Sequence, residues 1–211
     1  MAGWNLECLT VGPLQMNAWL LVDPASGEAA LIDPGDHPTR LLARLDAAGA
    51  RLRWLLATHG HFDHIAAAVA IQAHRDLPLL IHPADAFLVA AMPDHQRAFG
   101  LPPTPVPRIE TSLLEGRELP LGSGALTVTE VPGHSPGQVM FTWPGHAIVG
   151  DCIFAGSVGR TDLPGGDLAA LEASIRERIY TLPDVTVIHP GHGPDTTVGR
   201  EKATNPFVAG R

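Results

Sequence analysis

Thr58-His59-Gly60-His61-Phe62-Asp63-His64 places three imidazoles and a carboxylate within six residues, directly after the apolar run Trp54-Leu55-Leu56-Ala57. Neutral imidazole nitrogen and carboxylate oxygen suit Zn²⁺ or Fe²⁺, and clustering them is costly unless a cation collects their lone pairs. Leu52 to Ala57 reads as a buried strand and Ala66 to Ala73 as an Ala-rich helix, so the cluster sits at a strand-to-helix turn. His59 and His61 stand two apart in extended chain, while Asp63 and His64 enter the first helical turn. The set can therefore splay toward two adjacent cations.

Two metals need further ligands, and the chain supplies them at loop positions after strand-like runs. His134 lies in Val131-Pro132-Gly133-His134-Ser135-Pro136-Gly137, after the β-rich Leu126 to Val131. Asp151 closes Ala147-Ile148-Val149-Gly150, and His192 sits in His189-Pro190-Gly191-His192-Gly193-Pro194 after Val185 to Ile188. Each stands beside glycine or proline, which suits a backbone turning tightly around a cation.

Taken together these motifs resemble the metallo-β-lactamase superfamily and, within it, the short hydrolases related to glyoxalase II. The resemblance extends to Gln15-Met16-Asn17-Ala18-Trp19-Leu20, to Ile32-Asp33-Pro34-Gly35, to Gly159-Arg160-Thr161-Asp162-Leu163-Pro164-Gly165-Gly166-Asp167, and to the ending Gly191 to Thr197 with Asn205-Pro206. It implies His59, His61 and His134 on a first metal, Asp63, His64 and His192 on a second, and Asp151 bridging both. It also implies that Asp33 orients ligands from below the site, where the residues alone read equally well as an Asp-Pro-Gly turn. The cofactors expected are two divalent ions, zinc or iron, with manganese also accommodated by such ligands.

Composition is consistent with a soluble enzyme. The chain has 211 residues, enough for one domain spanning 1–211 with a sizeable core. Hydrophobic residues make up 45% and charged residues 17%, which argues against disorder. The formal net charge is −8 and no Lys/Arg run occurs, which disfavours nucleic-acid binding. Met1-Ala2-Gly3-Trp4-Asn5-Leu6-Glu7 lacks a basic region and an apolar stretch fit for export, and no run reaches membrane-spanning length; the expectation is a cytoplasmic protein with no membrane partner. Cys8 and Cys152 can pair in principle, but a core of this size needs no staple, and Cys152 reads as a small buried side chain rather than a ligand.

Along the chain, strands are expected near 4–11, 17–23 and 28–33, then a helix at Thr39 to Gly49 with Leu41, Leu42 and Leu45 on one face. The metal-bearing strand and helix follow, then a strand Leu79 to His82 and a helix opening at Pro83. A Pro-rich bend, Leu101 to Pro107, connects two similar halves. The second half offers strands near 117–121, 125–131, 138–143 and 146–149, a helix at 167–180, a strand at 185–188 and a last helix from Thr197 to Lys202. Mixed strands with helices in both halves imply an α/β (α+β) protein with two facing sheets, each covered outside by helices. This four-layer αββα sandwich is also the metallo-β-lactamase fold, with its metal site where strand ends converge along one edge.

A water shared by two close cations loses a proton near neutral pH, and the resulting metal-bridging hydroxide can attack an ester, thioester or amide carbonyl without a serine or cysteine nucleophile. Asp63 and Asp151 would position it. The glyoxalase II resemblance implies a glutathione thioester, S-D-lactoylglutathione, as substrate. Arg160 stands where that family places a basic residue for a glutathione carboxylate, although pairing with Asp162 or Asp167 reads nearly as well. Two features depart from the family: Asp162 replaces a usual aromatic, and the chain ends at Arg211 without the helical domain of longer glyoxalases II. The competing readings are a persulfide dioxygenase with one iron on His59, His134 and Asp151, and a metal-binding module without turnover. Of the remaining histidines, His82 and His189 lie nearest strand ends that face such a site.

Overall fold

A strand that is buried at every position needs cover on both faces. Met16 to Val22 is buried throughout, and both faces are indeed covered. The computed structural model describes residues 3–209, so Met1 and Ala2 of the N-terminal reading and the chain end at Arg211 lie outside the described residues.

The first sheet holds β1 (Asn5–Val11), β2 (Met16–Val22), β3 (Glu28–Ile32), β4 (Arg51–Leu56), β5 (Leu79–Ile81) and β6 (Ile109–Thr111), in sequential order. Its first three strands are antiparallel and the rest join in parallel, through α1 (Pro38–Ala47), the pair α2 (Phe62–Ile65) and α3 (Ala68–Arg75), and α4 (Ala86–Ala98). The second half contributes β7 (Glu118–Leu121), β8 (Gly124–Glu130), β9 (Val139–Trp143) and β10 (His146–Gly150), a hairpin of β11 (Ile153–Phe154) and β12 (Ser157–Val158), α5 (Leu168–Ser174), β13 (Val187–Pro190), β14 (Thr196–Thr197) and α6 (Val198–Thr204). The second sheet runs β14-β13-β10-β9-β8-β7.

Strand alternation sorts the apolar residues into three layers of core. Trp19, Leu21, Ile32 and Leu56 meet Val139, Phe141, Trp143 and Ile148 between the sheets. Leu20, Leu31 and Leu55 point the other way, against Leu41, Leu45, Ile71 and Met92 of the outer helices. Behind the second sheet, Met140, Ala147 and Val149 pack on Leu171, Ile175 and Val198. The result is the expected αββα sandwich. Among the described residues no helix is long and apolar enough to cross a membrane.

Several element boundaries differ from the sequence reading. A single turn, α2, carries Asp63 and His64, and the expected Ala66 to Ala73 helix begins only at Ala68 as α3, because the backbone turns at Ala66-Ala67 while Ala67 N donates to the Pro34 carbonyl (2.9 Å). The expected 167–180 helix starts under an Asp167 cap and ends in a π turn over Ile175–Ile179. The short strands β6, β11, β12 and β14 give no readable alternation, being two or three residues long. Cys8 and Cys152 are both free, and Cys152 is fully buried.

Phe141 is wholly buried between the sheets. Replacing it with Ala should cost about 3–5 kcal/mol, read as a lower midpoint in urea unfolding, because both sheets lose the same packing partner.

Candidate metal centre

Four loops and the single-turn helix α2 deliver the seven side chains to one end of the sandwich. His59 and His61 lie between β4 and α2, Asp63 and His64 in α2, His134 between β8 and β9, Asp151 after β10, and His192 after β13. Ligand-capable atoms of His59, His61 and His134 lie within 4.8 Å of one another, as do those of Asp63, His64 and His192, and those of His59, His64 and Asp151. The shared members make one continuous cluster. It forms part of the wall of a cavity of ≈450 Å³, together with Leu14, Phe99, Arg160 and Leu163.

Hydrogen bonds set the orientation of the rings. His134 Nδ1 donates to the Arg160 carbonyl (2.7 Å), His192 Nδ1 to the Leu14 carbonyl (3.1 Å) and His64 Nδ1 to the Asp33 carboxylate (2.9 Å). Thr58 Oγ1 donates to Asp33 (2.8 Å) and so receives the His59 Nδ1 proton (3.0 Å). Four rings therefore turn an Nε2 lone pair toward the cluster. His61 is the exception: its Nδ1 lies 2.9 Å from His134 Nε2.

The buried Nε2 atoms of His59 and His64 and the Oδ1 of Asp151 have no well-formed hydrogen bond among the described residues, and neither does His61 Nε2. Burial of unpaired polar atoms is costly, and a cation placed among the first three would satisfy them together. The donor set, imidazole nitrogens plus carboxylates with no thiolate, fits divalent zinc, iron or manganese.

Electrostatics point the same way. Burial pushes His59 well below the usual imidazole range, and His64, His61 and His134 nearby push it further. Burial and His134 bring His61 down to about 3. Burial alone would depress His64 too, but the carboxylates of Asp151, Asp33 and Asp63 outweigh it and raise it well above the usual imidazole range, so this corner of the cluster favours positive charge. Burial opposes ionisation of Asp63 and Asp151, yet His64 and His192 overcome it, so both carboxyls stay below the ordinary carboxylate range.

Asp33 is wholly buried with a left-handed backbone (φ 54°), and also accepts from Thr58 N (2.7 Å), so it ties the end of β3 to the motif. A carboxylate that the sequence reading missed does the same on the opposite side. Asp85, fully buried at the start of α4, accepts from Gly60 N (2.8 Å), Ser135 Oγ (2.7 Å) and Gly137 N (2.6 Å), clamping the His59–His61 turn to the His134 loop. Its signal was an acid just after β5, the same strand-to-helix position the first motif occupies after β4. Asn17, noted in sequence without a role, donates to the carbonyls of Pro190 (3.2 Å) and Gly193 (2.8 Å) and braces the His192 loop. Gly191 has no alternative here, since a Cβ would fall 2.1 Å from Asp151 Oδ1.

Arg160 borders the cavity, but its guanidinium makes two bonds of 2.7 Å to Asp162, while its carbonyl orients His134. His82 bonds Glu130 (3.2 Å), and His189 bonds His146 (3.0 Å) and packs on Trp19 and Trp143; neither belongs to the cluster.

The metallo-β-lactamase superfamily profile matches residues 11–198. The chain belongs to this superfamily. It is 37% identical to hydroxyacylglutathione hydrolase GloC of Haemophilus influenzae over 213 aligned positions, covering 97% of this chain and 98% of that protein. A crystal structure of TTHA1623 in a di-iron-bound form is 44% identical with TM-score 0.86, covering 95% and 99% of the two chains. That of BLEG-1 B3 metallo-β-lactamase is 35% identical with TM-score 0.87, covering 97% and 99%. Within a superfamily whose fold binds divalent metals, this protein is a glyoxalase II-like hydrolase.

Asp85→Ala should strand three buried donors and lower stability by about 3 kcal/mol, measured by thermal unfolding. A second expectation concerns pH. A folded-state imidazole pKa near 3 means that the unfolded chain takes up protons first, so metal-free protein should lose stability as pH falls from 6.5 toward about 3. His61→Asn should flatten that slope in melts followed across this range.

Proposed function

We propose that the protein is a dinuclear thioester hydrolase acting on a glutathione thioester such as S-D-lactoylglutathione. The observation that carries this reading is the set of pre-oriented Nε2 lone pairs facing two carboxylates in one cavity. His59, His61 and His134 would hold one divalent ion, Asp63, His64 and His192 a second, with Asp151 between them. Such a pair of ions supplies Lewis-acid polarisation of the thioester carbonyl and an acidified water.

The chain's own groups supply the rest. Asp63 and Asp151, held ionised by the neighbouring imidazoles, can accept hydrogen bonds from a water and fix its direction of attack. The Nδ1 anchors on Asp33, Thr58, Leu14 and Arg160 keep the rings from reorienting as charge develops, the positioning on which rate depends. Leu14, Phe62, Phe99 and Leu163 give the cavity an apolar wall beside the position of the reacting carbonyl. The relative named hydroxyacylglutathione hydrolase, matched along nearly its whole length, supports the choice of thiol.

A mononuclear dioxygenase would use His59, His134 and Asp151 and leave Asp63 and His192 without a task. Here both sit within 3.3 Å of each other beside His64, which favours the dinuclear reading. Metal analysis combined with assays of S-D-lactoylglutathione hydrolysis and of oxygen uptake with glutathione persulfide tests it. Asp63→Ala and His192→Ala should each reduce bound metal from two ions toward one per chain and cut kcat/KM roughly 100-fold or more. One iron per chain, oxygen consumption and indifference to both substitutions would transfer the assignment to the dioxygenase.

A further inference from the structure

Beside the metal centre lies a second cavity of ≈370 Å³, formed where the β1–β2 hairpin, the α2–α3 segment and the Pro-rich bend approach one another. Leu14, Phe62 and Asp63 belong to the walls of both cavities. Asp63 is one of the carboxylates of the cluster, Leu14 carries the carbonyl that orients His192, and Phe62 packs on Phe99 of the metal cavity with ring centroids 5.2 Å apart. The two spaces therefore meet at the reacting centre.

The chemistry of the second cavity is one-sided. Val11, Met16, Ala66, Ala70 and Leu101 line it, none of its lining residues among those described is Lys or Arg, and its charged members are the carboxylates Asp36 and Asp63. An anion would be repelled there, and a hydroxyl held against the alkyl part of the lining, away from Asp36, Asp63, Gln96 and Thr104, would lose its water without gaining a partner. An alkyl chain gains from the same transfer. In the metal cavity, by contrast, the Arg160 guanidinium is already paired with Asp162, which weakens the grip on the thiol half.

We propose that this second cavity receives the acyl chain of the substrate, so that thioesters of extended apolar acids, rather than short hydroxy acids, are the better substrates. This rests on the thioester hydrolase reading above and names its acyl specificity. The reaction is unchanged: the acyl C–S bond breaks, a C–O bond to water forms, one water proton ends on the released thiol, and the carboxylic acid ionises into solvent.

Metal-loaded protein assayed with S-D-lactoyl-, S-butanoyl- and S-hexanoylglutathione tests the proposal, since a common thiol cancels that half of the molecule. Each added methylene is worth roughly fourfold when fully buried. We expect kcat/KM for hexanoyl to exceed that for lactoyl by at least about tenfold. Ala70→Phe, filling the cavity from α3, should lower the hexanoyl to lactoyl ratio about tenfold with metal content and melting temperature retained. Leu101→Trp, from the Pro-rich bend, repeats the test should the first variant not fold. Lactoyl turnover with no gain for hexanoyl, or a ratio untouched by both fillings, overturns the acyl-cavity proposal and leaves the hydrolase reading standing. Failure of all three thioesters overturns the hydrolase reading and the proposal with it.

Discussion

Buried lone pairs that make no well-formed hydrogen bond among the described residues are the constraint around which the metal-centre end of this molecule is arranged. Nε2 of His59 and His64 and Oδ1 of Asp151 are removed from water and face one another across a space that no donor from the described residues fills. An apolar core would be cheaper to build. The arrangement becomes favourable when divalent cations collect those electrons, so metal uptake is coupled to the stability of the fold end that carries the ligands.

The scaffold makes that cost tolerable by holding the ligands from behind. Strand ends β3, β4, β10 and β13 converge on one edge, and two buried carboxylates bind the loops that leave them. Asp33 gathers Thr58 and His64, while Asp85 gathers Gly60, Ser135 and Gly137. Each belongs to a different segment from the groups it holds, so the loops carrying the ligands are tied together from behind. Charge completes the effect: His64 and His192, the imidazoles whose pKa the site raises, keep Asp63 and Asp151 ionised.

Specificity belongs to other parts of the surface. The ligands would serve any carbonyl substrate, but the walls differ in kind, with one paired arginine at the rim of one cavity and an alkyl lining with two carboxylates in the other. Selection among acyl groups thus falls to the hairpin bearing Leu14, the helix bearing Ala70 and the bend bearing Leu101, none of which holds a proposed metal ligand.

The local pattern of residues was sufficient to single out candidate ligands, because imidazoles at such spacing have few other uses, and to show strands such as β2, whose apolar run from Ala18 to Val22 demands a layer on each face. It was also sufficient for the sandwich, since alternating strand and helix patterns occur in both halves. Asp85 was not legible, because its value lies in three donors that are 25 to 52 residues away along the chain. Arg160 was ambiguous for a related reason: its neighbours in sequence offered both a substrate role and a partner, and side-chain geometry decided for Asp162. The second cavity is a property of several segments distant in sequence, so no window of residues contains it. Chain chemistry determined which atoms seek a cation; tertiary structure decided which lone pairs face inward, because ring orientation is set by hydrogen bonds to carbonyls and carboxylates that meet only on folding.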